Sequence, residues 1–124
     1  MLDLREIAQE AHRTTVESSM EDIVGFLQEV LGQKLVAHIA GVSDPKAVAR
    51  WASGARTPRS ASEERLRGAY QVFQMLNTEE ASHTIRAWFL GLNPQLGDES
   101  PASALHEGRT RDVLIAAKSY LAGG

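Results

Sequence analysis

Apolar positions along this chain recur at three- and four-residue intervals, and no stretch alternates as a strand would. Leu2, Leu4, Ile7, Ala8 and Ala11 predict a short amphipathic helix over 2–12. The polar, β-branched run HRTTVESS (12–19) reads as a connector, and Ser18 with Glu21 three places on has the form of a capping box. Ile23, Val24, Phe26, Leu27, Val30 and Leu31 make a second stripe closed by Gly32. Leu35, Val36, Ile39 and Ala40 make a third, closed by Gly41. Asp44 before Pro45 is a start signal, because Asp accepts from free N–H groups and Pro has none to strand, so a helix is expected over 45–53 with its stop at Gly54. Residues 55–62 read as a loop. Ser60 with Glu63 predicts the cap of a longer helix through Leu66, Ala69, Tyr70, Phe73 and Leu76. Asn77 ends it, and Thr78 is expected to cap a helix carrying Ile85, Trp88, Phe89 and Leu90. Asn93–Pro94 and Gly97–Asp98 mark turns, Ser100–Pro101 opens a short helix to His106, and Gly108 breaks the chain. The last helix uses Val113, Leu114, Ala117, Tyr120 and Leu121. The expected fold class is all-α, divided into an N-terminal helix and connector (1–19), a helix-turn-helix part (20–77) and a C-terminal helical part (78–124).

The most informative segment is 33–54, QKLVAHIAGVSDPKAVARWASG. A helix-turn-helix crosses two helices steeply over a short turn. Ala37 and Ala40 are small enough for close crossing, Gly41 is free to take positive φ, and Val42 plugs the corner. Ala47, Val48 and Trp51 then point inward, which leaves Ser43, Lys46, Ala49 and Arg50 at or near the face that would enter a major groove. Charge strengthens this reading. The whole chain is at −3, but its charge is uneven. Residues 1–32 carry two basic against seven acidic side chains, 33–68 seven against three, and 69–124 four against six. A basic middle between acidic flanks is a footprint for phosphate contact. Ser43, Lys46, Arg50, Arg56 and Arg59 are therefore the candidate DNA contacts, the first three near the groove and the last two on phosphates.

The remaining composition narrows the function classes. There is no Cys, hence no disulfide or thiolate chemistry, and a cytoplasmic, soluble protein without a membrane span is expected. The start MLDLREIAQEAH is too acidic and too interrupted for a secretory signal. His12, His38, His83 and His106 are scattered, with no Cys/His/carboxylate spacing suited to a metal and no Gly-rich loop before a Lys. Glu63–Glu64 and Glu79–Glu80 are accounted for as helix openings that complement the dipole. No catalytic group, metal or cofactor is expected, and an enzyme is the weakest class.

Two ordered series of residues resemble known families. Ala37-x-x-Ala40-Gly41-Val42-Ser43 resembles the helix-turn-helix core of many bacterial repressors, although the stretch 41–50 is one residue longer than in many of them, and Trp51-x-x-Gly54-x-x-x-Pro58 resembles the segment after the recognition helix in Xre-type repressors. The series Ala87-Trp88-Phe89, Asn93-Pro94, Leu96-Gly97, Ser100-Pro101, Leu105, Gly108, Val113, Leu121 and Gly123 resembles the toxin-binding domain of the Xre/MbcA/ParS antitoxin family. Asp98 stands where that family often has a second Gly, and Ala102 and Ala104 are smaller than its usual residues. The resemblance covers roughly residues 20–124. It implies a type II antitoxin that binds and inhibits a RES-type, NAD-consuming toxin and represses its own promoter. It further implies a toxin-facing surface on the last helix and tail: Arg109, Arg111, Leu114, Lys118, Tyr120, Leu121, Gly123 and Gly124. A homodimer or a hetero-oligomer with the toxin is expected, because one reader covers one half-site. Leu4, Ile7 and Ala11 are one candidate pairing face. The alternatives are a stand-alone repressor whose C-terminal half dimerises or senses a ligand, and an interaction module that no longer binds DNA.

Overall fold

The computed structural model describes residues 2–123, and these form eight α-helices with no strand among them. The helices are α1 (Leu4–Glu17), α2 (Met20–Leu31), α3 (Gln33–Ala40), α4 (Lys46–Ala52), α5 (Ser60–Leu76), α6 (Ser82–Leu90), α7 (Pro101–His106) and α8 (Thr110–Leu121). A 3-10 turn, Pro94–Leu96, lies between α6 and α7. The expected all-α class is therefore observed. Among the described residues no helix is long and apolar enough to cross a membrane.

Helix α5 is the central strut. Its buried residues Leu66, Ala69, Val72, Phe73 and Leu76 meet α1, α2, α3 and α8. Phe73 is 1 % exposed and meets the edge of Phe26 with ring centroids 5.1 Å apart. The core runs without interruption from Ile7 in α1 to Ala117 in α8, so the boundaries drawn at 19/20 and 77/78 both fall within one packed interior.

Several helix ends differ from the sequence reading, each for a local reason. The connector expected at 12–19 is helical as far as Glu17, because Thr15 turns into the core and its hydroxyl donates to the Ala11 carbonyl at 2.7 Å. The cap of α2 is Ser19, accepting from the Asp22 N–H, rather than Ser18, whose hydroxyl donates back to Thr14. Ser60 is already the first residue of α5, which leaves its cap position to Arg59 without a side-chain bond. Thr78 does not cap α6: its hydroxyl donates to the Met75 carbonyl, and α6 starts only after Ala81. Glu79 and Glu80 consequently lie in the 77–81 turn, not in a first helical turn, and Glu80 accepts from the Tyr120 hydroxyl at 2.7 Å. Leu90, placed with the core aromatics by its spacing, is exposed, whereas Phe89 is fully buried.

The α5–α8 contact carries a feature that the spacing does not reveal. Gly68 lies in mid-helix, where Gly is normally costly. A Cβ there would run into the methyl group of Thr110 at the start of α8, so the missing side chain is what lets the two helices approach. The Thr110 hydroxyl is buried there without a hydrogen-bond partner among the described residues. Thr110→Val keeps the shape and removes the unsatisfied group. It should leave the thermal midpoint unchanged or raise it, whereas Gly68→Ala should lower it. Thermal melts of the two variants check both signs.

Candidate nucleic-acid interface

The segment singled out by sequence forms two short helices, α3 and α4, joined by residues 41–45. Gly41 takes φ +85°, and its N–H and that of Val42 close the end of α3 on the Ala37 carbonyl. This connection is five residues long. Asp44 accepts from the Lys46 N–H at 2.9 Å, and the Asp44 and Pro45 carbonyls take the next two N–H groups, so α4 is started by this bonding and begins at Lys46 rather than Pro45. Val48 and Trp51 are buried, Ala47 is half-buried, and α4 packs chiefly on α2.

All five candidate DNA contacts, Ser43, Lys46, Arg50, Arg56 and Arg59, are exposed. Three of them are brought together. Arg50 from α4, with Arg56 and Arg59 from the loop after it, lines one open groove of about 320 Å³ whose floor includes Trp51 and Pro58. Arg50 also lies 3.8 Å from Asp44, a half-exposed pair that water screens and a phosphate can displace. Not all of the positive charge in 33–68 is available in this way. Arg65 donates to the Ala40 carbonyl at 3.3 Å beside Ser62, whose hydroxyl donates to the same carbonyl at 2.8 Å. Arg67 is held by Glu63 at 3.1 Å and by the Thr15 and Ser18 carbonyls at the end of α1. Both arginines close helix C-termini, and neither belongs to the basic face.

The C-terminal candidates are divided by the fold. Arg109 is engaged on three sides, by Glu99 at 2.8 Å, Asp112 at 3.0 Å and Glu107 at 3.9 Å. Glu107 is raised above the ordinary carboxylate range, first by a side-chain hydrogen bond with Glu99 and then by repulsion from it, while Arg109 and His106 oppose the shift. Leu114 and Leu121 are half-buried against the core. Arg111 and Lys118 are exposed, as is Tyr120, whose ring stacks edgewise on Trp88. Gly123 has φ +88°, and Gly124 lies outside the described residues. The sequence reading missed Leu92, at 79 % the most exposed large apolar side chain among the described residues, and Ile115 on α8. Leu92 shares a small cavity with Trp88 and Tyr120. The signal for it was present: an apolar residue immediately before the Asn93–Pro94 turn has no helix to bury it. Asp98, by contrast, adopts φ +65°, in the left-handed region that favours Gly. Ile7 and Ala11, candidates for a pairing face, are buried in the chain's own core instead.

The two halves also meet through histidines. The rings of His38 (α3) and His106 (α7) stack in parallel, 4.6 Å between centroids, and His106 Nδ1 lies 2.6 Å from the His38 carbonyl, which accepts from it. His38 is pushed below the ordinary histidine range, first by partial burial and then by repulsion from His106. The unfolded chain therefore takes up this proton at a higher pH than the folded one, and stability falls as pH drops from about 6.5, the ordinary histidine value, toward the depressed folded value. Thermal melts at pH 7.5 and pH 5 should show this loss, and His38→Gln should reduce the difference between the two pH values. An equal difference in the variant would place the loss elsewhere.

No group of three or more His, Cys, Asp or Glu side chains converges on a metal-sized site among the described residues. No family model matches the chain, and neither does any curated protein or solved structure.

Proposed function

We propose that α3 and α4 act as a helix-turn-helix DNA reader and that the chain is an antitoxin repressing its own promoter. The observation that carries the DNA reading is the convergence of Arg50, Arg56 and Arg59 on one groove beside the exposed Lys46. Lys46 and Arg50 lie on the solvent side of α4 and are the base-edge contacts, while Arg56 and Arg59 hold phosphates on either side. The positive charge gives affinity for any duplex, and the α4 face supplies the sequence preference.

The antitoxin reading rests on the resemblance of residues 87–123 to the toxin-binding domain. It is supported by an exposed apolar patch in that segment, Leu92, Tyr120 and the edge of Trp88, with Arg111 and Ile115 exposed elsewhere on α8. These residues, rather than Arg109, Leu114 and Leu121, are the toxin-facing set in this proposal, because the latter three are engaged within the chain. The partner is a RES-type, NAD-consuming toxin. The test is co-expression with the neighbouring gene, pull-down, and NAD loss in the presence and absence of this chain. Deleting everything after Asn77 would strip Ile85, Phe89, Leu105 and Val113 from the shared core. A stop before Ala122 and Leu92→Glu are the cleaner variants. Both should keep full helicity and promoter binding, while NAD loss returns. Undiminished inhibition by both would remove this surface from the account.

A stand-alone repressor is the second reading, favoured by the same shared core. Helix α7 packs mainly on α3, so the C-terminal half also serves as a structural support for the DNA reader.

A further inference from the structure

A separate site lies on the opposite, N-terminal side of α8. Helices α1 and α8 both pack on α5 but touch each other little, and a cavity of about 660 Å³ opens between them. That volume falls within the range of about 300–1,000 Å³ typical of small-molecule sites. Its walls are apolar: Leu4 and Ala8 from α1, Leu114 from α8. Its polar edge holds two cations, Arg5 from α1 and Lys118 from α8, together with His12, Gln9 and Gln71, and no carboxylate lines it.

This charge arrangement runs against the local composition. Residues 1–32 are the most acidic part of the chain, yet the acids of α1 are turned elsewhere. Glu10 and Glu17 pair with Arg13 on another side of α1, and Glu6 lies with Glu10 and Arg13 around a second depression. Arg5, His12 and Lys118 make no side-chain hydrogen bond or ion pair with any described residue. Apolar walls open to water, edged by the two cations Arg5 and Lys118, fit an occupant with one apolar body and one negative charge. From Leu4 to His12 the wall of α1 runs about 12 Å, at 1.5 Å per residue, which accommodates an extended medium-chain acyl group.

We propose that the α1–α8 groove binds an amphiphilic carboxylate, with the acyl chain along Leu4, Ala8 and Leu114 and the carboxylate at Arg5 and Lys118. The charge pair gives recognition, and the buried chain gives affinity. This site is independent of the DNA and toxin readings.

Calorimetric titration of the full chain with decanoate, and with decanol as its uncharged counterpart, tests the proposal. Decanoate should bind below its micelle-forming concentration and at least tenfold more tightly than decanol. The exposed double variant Arg5→Gln/Lys118→Gln should stay folded and lose that preference. Ala8→Trp, which fills the groove, should abolish binding of both. Equal binding of acid and alcohol would overturn the proposal, as would undiminished binding in Ala8→Trp. A dimer that takes up no decanoate and falls apart in Ala8→Trp would also overturn it, because the occupant would then be a second copy of the chain.

Discussion

Phe73→Ala should destabilise the protein by about 3–5 kcal/mol, a large share of the roughly 5–15 kcal/mol available to a domain of this kind. Phe73 lies in the last turn of α5, fully buried, with the Phe26 ring edge-on to it and Tyr70 edge-on to Phe26 in turn. Removing its ring leaves a cavity that rigid neighbouring helices cannot close. The chain carries its own reporters for how far the damage spreads, since Trp51 lies in α4 and Trp88 in α6. One continuous core predicts that urea unfolding followed at the two tryptophans, each retained alone in a single-Trp background, shifts to the same lower midpoint. A C-terminal part folding independently of α5 would leave the Trp88 transition where it was.

The second large effect is on binding. Arg50→Ala/Arg56→Ala/Arg59→Ala should lose most of the affinity for promoter DNA while remaining folded, because all three side chains are exposed. Arg50→Ala alone should cost about 1–3 kcal/mol and relax the preference at one base position. Arg59→Ala should weaken all sequences alike and reduce the slope of log affinity against log salt by about one. Promoter titrations at two salt concentrations separate these outcomes. If the triple variant bound as well as the parent chain, the groove would not be the DNA contact.

Much of the fold was legible because period and punctuation agreed. Gly32, Gly41 and Gly54 each end a helix at positive φ, and Ser100 and Asn93 accept the backbone N–H groups that their positions suggested. What was not legible depended on contacts distant in sequence. Thr15 looks like a connector residue until the core is present to receive it. Arg65, Arg67 and Arg86 look like surface charge until their targets appear, the carbonyl ends of α3, α1 and α2. Ala102 and Ala104 look undersized for the family pattern, but both are buried where α7 packs on α3. The candidate site shows the same division. Its residue types and their exposure follow from the spacing on α4. The gathering of Arg50, Arg56 and Arg59 into one groove depends on how the 53–59 loop folds back, for which the sequence offers only Gly54 and the buried Pro58.

Whether α4 and the loop after it read DNA is decided by titrating the intact chain with a duplex from its own upstream region and with a scrambled duplex of equal length. A DNA reader binds the upstream duplex more tightly and loses affinity steeply with salt for both, with the preference persisting as salt rises. Equal affinity for the two duplexes, or no binding to either at low salt, would contradict the DNA reading.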